Sequence, residues 1–313
     1  MKQLEGLVIK AQSGFFTVRT AEGDFIATIP GRLKKERLET DIVAAGDRVT
    51  ISIQDRDTNL IEAVTERKSV LSRVRPSAGA RNLSSDREQV LVANPDQLVF
   101  VFSVKNPTPN LRKLDRFLVV AELNTLPAVI CVNKVDLGGV EHAQQQFQLY
   151  ADIGYEVIYT SVKANIGLDA LRDCLRGKLS VLTGSSGVGK SSLLNALQPG
   201  LGLQVREVSG TTGKGLHTTR HTELFPLDVG GYVADTPGIR GLALFDVEPT
   251  ELDGYFREIA PLVASCQFND CTHTHEPKCA VVAGVKNGRI HPDRYQSYLR
   301  LREEHEKLDE ALY

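Results

Sequence analysis

Gly184-Ser185-Ser186-Gly187-Val188-Gly189-Lys190-Ser191 fits the pattern G-x-x-x-x-G-K-[ST], and no other stretch constrains the chain as much. Such a loop needs a buried strand before it and a helix after it, so that backbone N–H groups converge on phosphate at the helix's positive end. The flanks comply. "KLSVL" is an apolar strand, and "SSLLNALQ", which starts at Ser191 and Ser192, has a helical pattern. Lys190 would reach the β- and γ-phosphates, and Ser191 would ligate Mg²⁺. The chain must therefore build a parallel sheet flanked by helices.

The phosphate loop alone does not choose a base. Asn133-Lys134-Val135-Asp136 does, and it follows the apolar strand "PAVICV". That places it at a strand's carboxyl end, where ligands bind in open α/β sheets. A carboxylate only accepts hydrogen bonds, and guanine offers two adjacent donors, N1–H and the N2 amine. Adenine would oppose Asp136 with a lone pair, so a site built this way rejects it. Ser161, Val162 and Lys163, just after strand "EVIYT", would support the base from its other side.

In ordinary GTPases the phosphate loop precedes the base reader; here it follows. Downstream lie "KGLHTTRH" at 214 to 221 and Asp235-Thr236-Pro237-Gly238 after strand "GYVA". Asp235 would hold Mg²⁺ through water, and the Gly238 N–H would sense the γ-phosphate. Thr219, with Thr218 as the alternative, would complete the Mg²⁺ shell. Rotating this cycle of motifs restores the ordinary order, so the domain is circularly permuted. Termini that lie close together tolerate such rejoining. The cut lets the D-T-P-G segment run straight into the C-terminal region, which predicts that a change at the γ-phosphate moves that region. Ile239 stands where Ras-like enzymes carry a water-orienting glutamine, so hydrolysis by the chain alone should be slow. His217 is the internal candidate to orient water; the rival reading has it touch RNA phosphate with Lys214 and Arg220.

The rest of the chain surrounds this domain. Residues 1–72 carry five short strand patterns, "EGLVIKAQ" to "NLIEAVTE", which suggest a small barrel of the OB type. Residues 73–95, with Arg73, Arg75, Arg81 and Arg87, predict a basic linker or loop; Arg32, Lys34, Lys35 and Arg37 make a second basic stretch. Strand and helix patterns alternate over 96–242. Over 243–313, "EPTELDGYFREIAPLV" and the stretch from Pro292 predict helices, the last one solvated and amphipathic. A net charge of −2 requires any nucleic-acid surface to be local. No apolar run approaches the roughly 18 to 20 residues of a membrane helix, and the first residues lack a signal peptide's apolar centre, so a cytoplasmic protein is expected.

Cys131 and Cys174 sit alone in apolar patterns and predict core residues. Cys266-x4-Cys271-x-His273-x5-Cys279 offers three thiolates and one imidazole, a closed set suited to tetrahedral Zn²⁺, with His275 as a substitute for His273.

Barrel, permuted GTPase and cysteine-rich tail together resemble the RsgA family (also called YjeQ or YloQ), circularly permuted bacterial GTPases of small-subunit ribosome assembly. The resemblance covers nearly the whole chain. It implies an RNA-binding OB-fold, a GTPase domain and a helical zinc domain with one structural Zn²⁺. It selects His273 as the fourth ligand, because the spacing matches the family motif, and it offers His217 as the catalytic histidine. It also implies GTP hydrolysis with Mg²⁺, stimulated by the small (30S) subunit and its rRNA during late maturation. Nothing in the sequence marks an oligomer, so a monomer is the default expectation. The alternative is a GTPase switch acting on a protein or membrane partner without RNA; the barrel and the absence of lipidation motifs weigh against it.

Overall fold

Alternating apolar residues build the first unit. In the computed structural model, which describes residues 2–31, 41–53, 59–75, 87–202, 222–235 and 248–312, Val8, Phe16, Val18, Val49, Ile51 and Ile61 share one core. They come from β1 (Gln3–Gln12), β2 (Phe15–Thr20), β3 (Gly23–Thr28), β4 (Arg48–Ser52) and β5 (Asn59–Val64). β1 pairs antiparallel with β2 and β4, β2 with β3, and β4 with β5, while β3 and β5 run parallel. The ring closes in the order β1-β2-β3-β5-β4-β1, the five-stranded barrel that the sequence predicts.

The stretch expected to be a linker is strand at both ends. β6 (Val70–Arg75) pairs antiparallel with β7 (Arg87–Ala93). Leu71, Val90, Leu91, Val92 and Ala93 are buried, and the nearby arginines mask those apolar residues in the sequence. Arg81 and the basic stretch at 32–37 lie outside the described residues.

The central sheet has the order β10-β9-β8-β11-β13-β12. β8 (Gln97–Ser103), β9 (Ala128–Asn133), β10 (Glu156–Tyr159), β11 (Leu179–Thr183) and β13 (Tyr232–Asp235) are parallel; β12 (Glu223–Pro226) is antiparallel. Every residue of β8, β9 and β11 is buried, as two covered faces demand. Leu98, Phe100 and Phe102 of β8 share a core with α1 (Leu111–Leu123) and α2 (Val140–Asp152). Val99 and Val101 share the other with α3 (Leu168–Leu175) and α4 (Lys190–Leu197). The sequence does not reveal that this sheet joins the barrel. Lys10 of β1 is in register with Glu223 of β12 and forms an ion pair with it at 3.1 Å, making one sheet of eleven strands.

The C-terminal region departs from expectation twice. "EPTELDGYFREIAPLV" is not one helix: a 3₁₀ turn at Leu252–Tyr255 is followed by the short α5 (Ala260–Val263), because Phe256 is extended and Pro261 opens α5. α6 (Ala280–Lys286) and α7 (Pro292–Leu312) complete it. α7 has the exposed side of an amphipathic helix, but its other side does not close a separate small domain. Arg294, Ser297, Tyr298, Leu301 and His305 are buried along one side. Arg294 donates to Asp115 of α1 at 2.6 Å and to Glu258 at 2.6 Å, and lies over the Phe256 ring at 4.6 Å. Asp115 also accepts from Tyr150 at 2.9 Å and from Ser297. Phe256, Ile259, Val281 and Tyr298 belong to the same core as β8 and α1. The C-terminal region therefore shares the central domain's interior instead of hanging from it. Among the described residues no helix is long and apolar enough to cross a membrane.

Candidate functional site: a guanine-nucleotide site and a metal centre

The buried run of β11 delivers the chain to Gly184, and α4 begins straight after Gly189. Both glycines sit where another part of the chain comes close. A Cβ on Gly184 would lie 2.2 Å from the Val101 carbonyl oxygen, and one on Gly189, where φ is +98°, would lie 2.4 Å from Asn133 Nδ2. Lys190 folds along its own loop and donates to the carbonyls of Gly184 at 2.8 Å and Ser185 at 3.0 Å.

The base reader docks on this loop. Asn133 closes β9, is buried, and donates through Nδ2 to the Val188 carbonyl at 2.9 Å. Lys134 has a left-handed backbone, with φ 61°, and donates to the Gly187 carbonyl at 2.7 Å and to that of Asn106. Burial pulls the Lys134 ammonium below its ordinary range, against the pull of Asp136. Asp136 accepts from the buried Ser161 hydroxyl at 2.6 Å, and the Ser161 oxygen accepts the Ala164 N–H at 3.0 Å. That second bond stabilises the turn containing Val162 and Lys163. Asn133 and Lys134 thus touch the loop that runs from Gly184 to Ser191 and Ser192, which contains Ser186, while Asp136 and Ser161 hold each other on the base-reader side.

β13 is registered on β11 with Leu182 opposite Asp235, so the Asp235 backbone ends beside the phosphate loop. Its side chain, together with His217, Thr218, Thr219, Gly238 and Ile239, lies outside the described residues.

Three contributors carry no motif. Thr160 is buried and donates to Asn133 Oδ1 at 3.2 Å, fixing which end of that amide faces the loop. The Asn106 carbonyl receives Lys134, and Lys113 of α1 lies 3.4 Å from the Ser185 hydroxyl. The position of Thr160 next to Ser161 was the one available signal; the other two depend on how α1 packs.

A second cluster forms in the C-terminal region. The ligand atoms of Cys266, Cys271, His273 and Cys279 lie within 4.8 Å of one another. His273 Nδ1 is 3.5 Å from Cys266 Sγ and 3.4 Å from Cys279 Sγ, and the two sulfurs are 3.9 Å apart. Tetrahedral coordination at about 2.3 Å to sulfur and about 2.0 Å to nitrogen would set these separations at about 3.5 and about 3.8 Å. The set fits a four-coordinate metal ion. His275 is exposed and bonds Thr274 instead, so it does not join the cluster. α7 clamps the loop: Tyr295 donates to the His273 carbonyl at 2.6 Å and Tyr298 to that of Thr272 at 3.1 Å. Cys131 and Cys174 belong to the core as expected; burial pushes the Cys131 thiol up to about 12.

Comparison with known proteins places the chain in a family. A model of the RsgA GTPase matches residues 64–245, and one of the RsgA N-terminal domain matches residues 5–61. The chain belongs to the RsgA GTPase family. Its RsgA relatives include a protein of Gemmatimonas aurantiaca named small ribosomal subunit biogenesis GTPase RsgA. That protein is 44% identical over 302 residues, 96% of each chain. One of Caldanaerobacter subterraneus subsp. tengcongensis, with the same name, is 36% identical over 100% of this chain and 99% of its own. Among solved RsgA-type structures, YjeQ from Thermotoga maritima superposes with a TM-score of 0.78 at 34% identity, covering 97% of this chain and 99% of that one. YloQ, described as a circularly permuted GTPase, has a TM-score of 0.72 at 32% identity, with 98% and 96% covered. The permuted order of motifs is therefore a property of the family fold, and the strand order β8-β11-β13 is its structural form.

Proposed function

We propose that the protein hydrolyses GTP to GDP and phosphate on the small (30S) ribosomal subunit during late maturation, with the subunit raising a slow basal rate. The observation that carries this reading is the docking of Asn133 and Lys134 on the phosphate loop, with Asp136 held by Ser161. A guanine lying against Asp136 offers it two donors, and adenine offers none. The loop amides and Lys190 would bind the phosphates, and the Gly238 N–H would meet the γ-phosphate. Ser191, Thr219 and Asp235 would hold Mg²⁺, which neutralises charge developing on the phosphates. His217 would orient the attacking water in place of the glutamine that Ile239 replaces.

Cys266, Cys271, His273 and Cys279 would bind one Zn²⁺. With all four positions filled by protein, the ion would serve folding. The name shared by the relatives is the ground for placing the subunit as partner. Residues 1–72, with the basic stretches at 32–37 and 73–87, would face its rRNA and make salt-sensitive phosphate contacts. On this reading the functional units are 1–72, 73–95, 96–242 and 243–313, in a cytoplasmic monomer without a membrane partner.

The test is nucleotide turnover by the purified chain alone, with small subunits and with large subunits, using ATP as control. Slow GTP turnover raised only by small subunits is expected. Fast basal turnover, or indifference to small subunits, would refute the subunit-stimulated reading.

A further inference from the structure

Two carboxylates outside the ligand set hold His273. Its side chain is fully buried and its backbone φ is +59°, a conformation that residues other than glycine seldom adopt. Glu276 fixes the backbone on both sides of it, accepting the N–H of Thr272 at 2.7 Å and that of Thr274 at 2.9 Å. The same carboxylate accepts the His275 N–H at 3.1 Å and the Thr272 hydroxyl. Asp253 fixes the ring. It comes from the 3₁₀ turn at Leu252–Tyr255, well outside the cysteine loop, and its Oδ2 is 2.9 Å from His273 Nε2. A carboxylate at Nε2 favours the tautomer with its proton there, which leaves the Nδ1 lone pair directed at Cys266 and Cys279. A metal-bound histidine whose second nitrogen donates to a carboxylate is oriented and made more basic, and losing that partner costs about 10- to 100-fold in metal affinity.

We propose that Asp253 and Glu276 are positioning residues of the metal centre. Asp253 selects Nδ1 as the ligating nitrogen of His273, and Glu276 holds its backbone in the left-handed conformation the site requires. This rests on reading the cluster as a metal site. Asp253 belongs to the segment by which the chain returns from the D-T-P-G region, so the same bond ties that return to the metal.

The test is Zn²⁺ affinity of the full-length chain, by competition with a chromophoric chelator, alongside the visible spectrum of the Co²⁺-loaded form. D253A and E276A should each bind Zn²⁺ about 10- to 100-fold more weakly than wild type. D253N, which keeps an acceptor oxygen, should fall between D253A and wild type. Co²⁺-loaded D253A should keep its thiolate charge-transfer bands and alter its d–d bands, a change that a merely structural role would not produce. Unchanged GDP affinity in the metal-loaded variants is the check that they fold. Wild-type affinity and an unchanged Co²⁺ spectrum in both alanine variants would overturn the proposal while leaving the metal site standing. Failure of the wild-type chain to bind either ion would overturn the metal reading and the proposal with it.

Discussion

Replacing Gly189 by alanine tests the contact on which the nucleotide reading depends. At φ +98° an L-residue pays about 1–2 kcal/mol for a left-handed backbone. The new Cβ, built 2.4 Å from Asn133 Nδ2, must also displace that side chain. Asn133 is 2% exposed, and its bond to the Val188 carbonyl at 2.9 Å would be lost. A buried polar group left unpaired costs about 1–3 kcal/mol. The sum, about 2–5 kcal/mol, corresponds to about 1.5 to 3.5 orders of magnitude in affinity if it falls on the bound state. G154A is the matched control. Gly154 has φ +87°, and a Cβ there would meet nothing within 4 Å, so only the backbone cost applies and the nucleotide site is untouched. Titration with a fluorescent GDP analogue, with thermal unfolding measured in parallel, should show weakened binding in G189A and wild-type binding in G154A. If G189A binds GDP within about threefold of G154A, the docking of Asn133 on the loop does not organise the site.

Four further outcomes follow from named contacts. R294M should lose about 3–5 kcal/mol in denaturant unfolding, because it strands the buried carboxylates of Asp115 and Glu258. R172A, which removes a partner of the exposed Asp169, should lose about 1 kcal/mol or less in the same assay. D136N should weaken GTP binding by about two orders of magnitude or more while retaining xanthosine triphosphate, whose C2 carbonyl suits an amide donor; equilibrium binding of both nucleotides checks it. Chelation of the metal, or C271S, should lower the unfolding midpoint and expose the C-terminal region to protease, because binding energy at such a site is folding energy.

What the sequence reveals depends on how local each signal is. The phosphate loop, the base reader and the Cys-x4-Cys-x-His-x5-Cys spacing are set by short-range geometry, and each lies where its pattern places it. The barrel is legible because inward and outward residues alternate within each strand. Long-range features are not. Gly154 accepts a bond from Arg257, and Asp115 one from Arg294, across separations no periodicity marks. The charged residues of α7 suggest a solvated helix, yet Arg294 is 1% exposed because Asp115 and Glu258 neutralise it from two other elements. β6 and β7 look like loop because Arg73, Arg75 and Arg87 sit beside the apolar residues that pair them, next to a stretch rich in Ser, Gly and Pro.

The shared interior changes how the permutation is to be understood. From order of motifs alone, the C-terminal region should swing when the γ-phosphate is lost. In the folded chain that motion would part Arg294 from Asp115, at about 3–5 kcal/mol for a broken buried pair. It would also uncover Phe256 and Tyr298, at about 1.5–3 kcal/mol for a side chain as large as phenylalanine. A nucleotide can shift an equilibrium only by its difference in affinity between the two states. Moving the region as a body would need a larger difference than the about 1–3 kcal/mol of ordinary coupling between sites. The cheaper route leaves α7 docked on α1. Both ends of the D-T-P-G connection are then anchored on one body, by the β13 pairing with β11 at one end and by the burial of Leu252 and the Asp253–His273 bond at the other. On this account the permutation fastens the switch at two ends, and the metal centre is one of the fastenings.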